Sequence, residues 1–153
     1  MEYRNHKNYS RDKTFGEKYE DKLMEVLNEA DYKDDNIKKF KYGYSWFDFR
    51  NKTDCLELKT RRIFNSSFPD LMVGANKMSQ AEAKKHGLKY RFFFILKDGT
   101  YYWDFKENTE EEIYYHYGTG GRRDRGCVEV RKVAYIYTKY LIKHGDLNCL
   151  EDC

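Results

Sequence analysis

The sequence predicts an α/β fold (α+β mixed), a mixed β-sheet flanked by helices, and three observations lead there. An amphipathic run at helical spacing begins at Thr14. Short apolar or alternating runs of strand length follow it. A second helical stretch, residues 76–87, interrupts those runs, so helix and strand signals interleave.

At 153 residues the chain is most economically one domain, long enough for a sizeable core. Charged residues make up 36%, yet the net charge is only +3, so the basic residues matter through clustering rather than through their sum. Aromatics at 18%, chiefly 15 Tyr and 10 Phe, supply the core despite a low mean hydropathy and argue against disorder. No apolar run approaches the ~20 residues of a membrane span, and the polar start M-E-Y-R-N-H-K-N has no signal-peptide core. Cys55, Cys127, Cys149 and Cys153 form no C-x-x-C pair, which disfavours a zinc site or a disulfide framework and fits a reducing, intracellular setting: cytoplasm, or a nucleus or viral factory.

Residues 1–13 read as a mobile basic arm. T-F-G-E at Thr14 to Glu17 is a capping box, and Phe15, Tyr19, Leu23, Val26, Leu27 and Ala30 then predict a helix over about residues 15–30. Glu20 falls at the edge of that apolar stripe, so it is the helix acid best placed to face a cleft; a solvated surface position is the competing reading. Residues 40–50 and 53–60 read as two strands joined by a tight polar turn at Asn51-Lys52-Thr53. Alternation puts Trp46, Asp48 and Arg50 on one face of the first, Phe47 and Phe49 on the other. In the second, Cys55, Glu57 and Lys59 oppose Leu56 and Leu58. Asp54 falls on the leucine face. A loop with a short strand is expected over residues 61–74. The second helix ends at Gly87. R-F-F-F-I-L, residues 91–96, reads as a central strand buried on both faces. Asp98-Gly99 predicts a hairpin returning as T-Y-Y-W-D-F. An acidic segment, a glycine-rich basic loop over residues 118–126, a strand over residues 127–137, a final short helix or turn and a polar tail over residues 146–153 complete the chain.

Two carboxylates that converge on one point suit a hard divalent cation, which also takes phosphate oxygens as ligands. Such a cation lowers the pKa of bound water and offsets charge building on a phosphate, and a nearby lysine adds to that stabilisation. Asp48, Glu57 and Lys59 meet the requirement if their faces meet. The competing reading is an amphipathic hairpin whose charges face solvent, since E-x-K on a strand is common.

The order of these residues tips the balance. A helix with Glu20, then Asp48, then Glu57-Leu58-Lys59, then a helix with Gln80, resembles the core of the PD-(D/E)XK nuclease superfamily, over about residues 14–105. The resemblance implies a restriction-endonuclease-like core in a single domain over residues 14–145. It implies Asp48 and Glu57 as metal ligands, Lys59 as the catalytic lysine, Glu20 as accessory acid and Gln80 as an accessory residue. Mg²⁺ is the implied cofactor, with Mn²⁺ as a substitute, and DNA the implied substrate, cut by an endonuclease of junction-resolvase-like, homing or restriction type. Chains this short in the superfamily usually act as homodimers, since one small domain cuts one strand. The sequence departs from the pattern in two places. Phe47 rather than Pro precedes Asp48, with the literal Pro69-Asp70 falling after the E-x-K in what reads as loop. Lys84 stands where some branches carry a Tyr.

Arg61 and Arg62 beside the E-x-K, and Arg122, Arg123 and Arg125 in the glycine-rich loop, are the expected DNA contacts through phosphate. The Lys84 to Arg91 cluster reads as solvated surface. Gly118 to Gly121 lacks the G-K-[ST] of a Walker loop. Two further classes stay open on sequence alone: a catalytically inactive nucleic-acid-binding module of the same fold, and an interaction protein whose acids decorate the surface.

Overall fold

The structure, a computed structural model, describes residues 6–39, 47–75, 77–78, 87–105, 111–118 and 131–152. One long helix, α1 (His6–Glu29), precedes nine strands: β1 (Lys38–Lys39), β2 (Phe49–Arg50), β3 (Asp54–Thr60), β4 (Asp70–Gly74), β5 (Lys89–Leu96), β6 (Gly99–Asp104), β7 (Ile113–Gly118), β8 (Arg131–Tyr137) and β9 (Ile142–Gly145). Six strands form a mixed sheet in the order β1-β2-β3-β5-β6-β9, and β4-β8-β7 form a second, antiparallel sheet. Among the described strands, β3 and β5 are the one parallel pair.

The parallel pair is the centre of the molecule, and its alternation divides the core in two. Leu56, Leu58, Phe93 and Ile95 face α1, which meets them with Tyr19, Leu23 and Leu27. These are successive i, i+4 positions, so they form one ridge. Val26, expected in the stripe, is instead exposed. Cys55, Phe92, Phe94 and Leu96 face the other way, toward Leu71 and Val73 of β4 and Ala134 and Ile136 of β8. The run F-F-F-I is therefore buried on both sides, as its composition predicts. The hairpin after it turns at Lys97-Asp98. Gly99, at φ +138°, is needed there because a Cβ would sit 2.8 Å from the Gly145 carbonyl oxygen.

Several boundaries differ from expectation. The helix begins at His6, so most of the stretch read as an arm continues α1. No Pro or Gly lies between His6 and Thr14 to stop it, and a capping box permits a start without enforcing one. Of the first strand of the expected hairpin, residues 40–46, Trp46 among them, lie outside the described residues; of the rest, Phe49–Arg50 are strand, preceded by a bend at Phe47-Asp48. That bend breaks the alternation, so Phe47 packs with Phe92 and Tyr90 on one side while Phe49 joins Leu56 on the other. The Asn51 turn is built as expected: its side-chain oxygen accepts the N–H groups of Thr53 and Asp54 at 2.9 and 2.8 Å. Of the second helix, Ala75, Lys77 and Met78 are helical and Gly87 carries the expected left-handed φ of +83°; residues 76 and 79–86 lie outside the described set. The expected final short helix or turn is a single 3-10 turn, Thr138–Tyr140, and the strand β9 follows it, which was not expected. The polar tail is docked, not frayed. Cys149 is fully buried, with its N–H donating to the Leu96 carbonyl at 3.0 Å and its thiol to the Arg61 carbonyl at 3.3 Å. Leu147 and Cys149, two apolar residues at strand spacing in a polar stretch, supply the driving force.

Candidate active site

β2 pairs with β3 only through Phe49↔Leu56 and Arg50↔Cys55. Continued by one step, that register sets Asp48 opposite Glu57, but the chain bends away there. Asp48 then does with its side chain what a strand would do with its backbone: Oδ2 accepts the Leu58 N–H at 2.8 Å. Among the described residues, no strand covers Glu57 to Thr60 on that edge. On that stretch, the described chain leaves Asp48 within reach of acids on both faces of the sheet.

Two acids from opposite faces sense Asp48. Glu57 is 4% exposed and lies on the Cys55 face. Its carboxyl is pushed up to about 7, first by burial and then by the Asp48 charge, with Lys59 and Lys77 opposing. Glu20, on the α1 side, is also raised, by burial first and Asp48 next, with Lys39 opposing. Lys39 Nζ lies 3.5 Å from Glu20 Oε2 and 2.6 Å from Asp21 Oδ1, which ties that stretch of α1 to β1. Lys59 Nζ lies 3.4 Å from Glu57 Oε1, and Lys77 Nζ 3.5 Å from Oε2. Among the described residues, Oε2 nevertheless has no hydrogen-bond donor, the Lys77 ammonium standing near it only as an ion-pair partner.

A buried carboxylate oxygen with no donor, next to a second carboxylate, fits a hard divalent cation such as Mg²⁺, which needs only one or two protein carboxylates and fills its other positions with water and phosphate. Among the described residues no group of three or more His, Cys, Asp and Glu side chains is gathered to hold a metal by itself. Among the described residues, Asp48 and Glu57 are the carboxylates whose placement suits such a cation.

Lys77 is a residue that sequence reasoning missed. Its stretch shows a lysine in a polar helix, and nothing in the spacing ties it to Glu57. Only the packing of β4 against β8 brings the segment after Gly74 back over β3, where the Lys77 ammonium also lies 5.3 Å from the Phe47 ring centroid. Arg61 follows Lys59 but is half-buried, its guanidinium donating to the Thr60 carbonyl at 3.2 Å. Arg62 is exposed and stacks at 4.0 Å over Phe15. Gln80, Arg122, Arg123 and Arg125 lie outside the described residues. Asp70, read as loop, is the first residue of β4 and accepts a 2.6 Å hydrogen bond from the Tyr114 hydroxyl.

A cavity of about 390 Å³ opens at the other end of β3, lined in part by Asp31, Asp35, Asp54, Lys89 and Arg91. Several of its charges are paired, although Arg91 Nε and Asp104 Oδ1 meet as an ion pair and not as a well-formed hydrogen bond. Asp54 takes the Tyr32 hydroxyl at 2.6 Å, Arg91 Nε sits 2.9 Å from Asp104 Oδ1, and Asp31 pairs with His144 at 3.1 Å. This hollow is thus a polar, ion-paired end of the sheet, whereas Glu57, whose Oε2 has no hydrogen-bond donor among the described residues, lies farther along β3.

A family model described as "Phage putative PDDEXK endonuclease" matches residues 14–141. Neither the curated proteins nor the solved structures contain a match. No described helix is long and apolar enough to cross a membrane.

Proposed function

The chain belongs to the phage PDDEXK endonuclease family, and from that premise we propose that it is a divalent-metal-dependent endonuclease that hydrolyses DNA phosphodiesters at the open edge of β3. Nucleic acid is the substrate class that the family implies. The observation that carries the finer reading is Glu57: a buried carboxylate with one oxygen lacking a donor, facing the Asp48 charge and flanked by two lysines.

Asp48 and Glu57 would hold Mg²⁺, or Mn²⁺ in its place. The cation would supply Lewis acidity toward the phosphate and a lowered pKa for a bound water. Lys59, partly exposed beside Glu57, reaches out of the edge to offset charge developing on the phosphate. Lys77 approaches the same carboxylate from the opposite side and keeps it oriented. Glu20 sits close enough to feel Asp48 and serves as an accessory acid, held by Lys39. Arg61 and Arg62, leading away from Lys59, extend the positive edge toward phosphate, as Arg122, Arg123 and Arg125 would from their loop. Two strands are cut by two copies, so a homodimer is the expected working unit, on a junction-resolvase-like, homing or restriction-type substrate.

A cleavage assay tests this on supercoiled, branched and single-stranded DNA with Mg²⁺, Mn²⁺ or EDTA. Wild type should cleave only with metal, and Asp48→Ala and Lys59→Ala should not. Full activity in both variants would sink the assignment. A second reading is a catalytically inactive nucleic-acid-binding module of the same fold, since among the described residues no group of three or more His, Cys, Asp and Glu side chains is gathered to hold a metal. Salt-dependent DNA binding without cleavage in either metal would select it.

A further inference from the structure

Residues 61–69 leave the end of β3 directly after Lys59 and Thr60 and connect it to β4. R-R-I-F-N-S-S-F-P contains two arginines, two phenylalanines and no acid. Phe64 and Phe68 are 44% and 55% exposed, and they are the exposed phenylalanines among the described residues. An exposed Phe by itself means little. Two on one acid-free loop, one strand's end from a phosphodiester site, are a different matter.

The loop is held in shape rather than left loose. The Phe64 N–H donates to the Ser67 hydroxyl at 3.0 Å, and the Ser67 N–H returns to the Phe64 carbonyl at 2.9 Å. The Asn65 N–H donates to Asp98 at 3.1 Å, and the Thr138 hydroxyl reaches the Phe68 and Pro69 carbonyls at 3.2 and 3.1 Å. The Ile63 carbonyl accepts the Lys97 N–H at 2.9 Å, and the docked tail holds the Arg61 carbonyl through Cys149. Backbone this well anchored fixes where the two rings stand, so little entropy is left to lose when a ligand covers them.

The surroundings are cationic. Lys97 lies 5.4 Å from the Phe64 ring centroid, and Arg62 stands exposed two residues before Phe64. Two acids adjoin the loop and both are engaged: Asp98 by Asn65 and by the Tyr101 hydroxyl, and Asp70 by the Tyr114 hydroxyl. Exposed aromatic rings interleaved with cations, continuous with the site, match a nucleic-acid strand better than an apolar protein surface. Within a stacked duplex the bases present no free π-face. Only unpaired bases can use these rings.

We propose that the 61–69 loop is a stacking lip for unpaired nucleobases, with Phe64 and Phe68 as the platforms and Arg62 and Lys97 meeting the adjoining phosphates. The lip directs the enzyme to DNA with single-stranded or melted character rather than to uninterrupted duplex. It extends the endonuclease reading above by naming the substrate feature, and it can fail separately.

The test is fluorescence anisotropy in EDTA, where no cleavage occurs, with labelled oligothymidylate and a labelled blunt duplex as probes. The Phe64→Ala/Phe68→Ala double variant should lose roughly 10- to 100-fold in affinity for the single strand, as expected for losing one or two stacked bases. Its duplex affinity should stay within about twofold, and Phe64→Tyr/Phe68→Tyr should restore single-strand binding, because the ring face is what is used. No loss on the single strand, or an equal loss on both probes, overturns the lip. Cleavage by Lys59→Ala is followed in parallel. Unaffected single-strand binding by the Phe variants alongside a dead Lys59→Ala leaves the endonuclease reading standing without the lip. Selective loss in the Phe variants alongside a fully active Lys59→Ala does the reverse.

Discussion

Asp54 and Glu57 stand on the same strand, three residues apart and on opposite faces, and both are buried. Their surroundings could hardly differ more. Asp54 accepts the Tyr32 hydroxyl at 2.6 Å and lies 4.0 Å from Arg91, which pairs in turn with Asp104. Asp54 itself has a donor, although Arg91 Nε and Asp104 Oδ1 behind it form an ion pair without a well-formed hydrogen bond, and the Tyr32 phenol is pushed up, by its burial first and then by its hydrogen bond to Asp54. Glu57 has two lysines near it and no donor on Oε2, and its carboxyl is pushed up to about 7. A buried acid whose demand is met within the fold stabilises the fold. One whose demand is unmet costs stability, and that cost is expected where a ligand completes the set.

The largest expected contrast is in activity. Lys59→Ala should lower the cleavage rate by roughly 10²- to 10³-fold, the usual effect of removing one group that stabilises developing charge. Asp54→Asn should change it by no more than a few-fold. Single-turnover cleavage measures both, and comparable losses would erase the distinction between the two acids.

Stability should show the opposite order. Asp54→Ala leaves the Tyr32 hydroxyl and Arg91 short of a partner and should cost about 1–3 kcal/mol in urea unfolding. Glu57→Gln, in EDTA at pH 8, should cost nothing and should raise the midpoint, since it removes a buried charge. A large loss in Glu57→Gln would mean that Glu57 is structural like Asp54.

The pH dependence sharpens this further. The Glu57 carboxyl is held above its usual 4.5, at about 7, so the folded state keeps a proton that the unfolded chain has released. Its contribution is fully present below about pH 4.5 and is lost as pH rises through about 7. The loss is on the order of 3 kcal/mol. Wild-type melts in EDTA minus those of Glu57→Gln should trace that decline. Mg²⁺ should offset it at pH 8, because cation and proton compete for the same oxygens, and the Mg²⁺ effect should vanish in Asp48→Ala. A pH-independent difference would contradict the environment assigned to Glu57.

The smallest effect belongs to the rim. Arg62→Ala should reduce the slope of log affinity against log salt by about 1 while leaving the stability of both acids' surroundings unchanged. A salt titration of duplex binding measures it.

Much of the arrangement was legible before any coordinates. The period-2 pattern of residues 54–60 separates Glu57 and Lys59 from Leu56 and Leu58, and it excludes Asp54, because side-chain direction on a strand is a local property. The apolar run at residues 92–96 announces a central strand for the same reason, and Asn51 announces its turn through its own side-chain chemistry. The i, i+4 ridge of Tyr19, Leu23 and Leu27 likewise follows from helix geometry alone.

Other features depended on where distant segments come to rest. The bend at Phe47-Asp48, which splits Phe47 from Phe49 and frees Asp48 to take the Leu58 N–H, has no local breaker to announce it. Lys77 reaches Glu57 only because a second sheet carries it there, and Cys149 seals the Arg61 loop only because the tail finds a gap beside Leu96. Local pattern determined which way each side chain points. Tertiary packing decided which of those directions meet, which edge stays open and which buried acid is left unsatisfied, because burial and charge coupling are sums over neighbours that lie far apart in the chain.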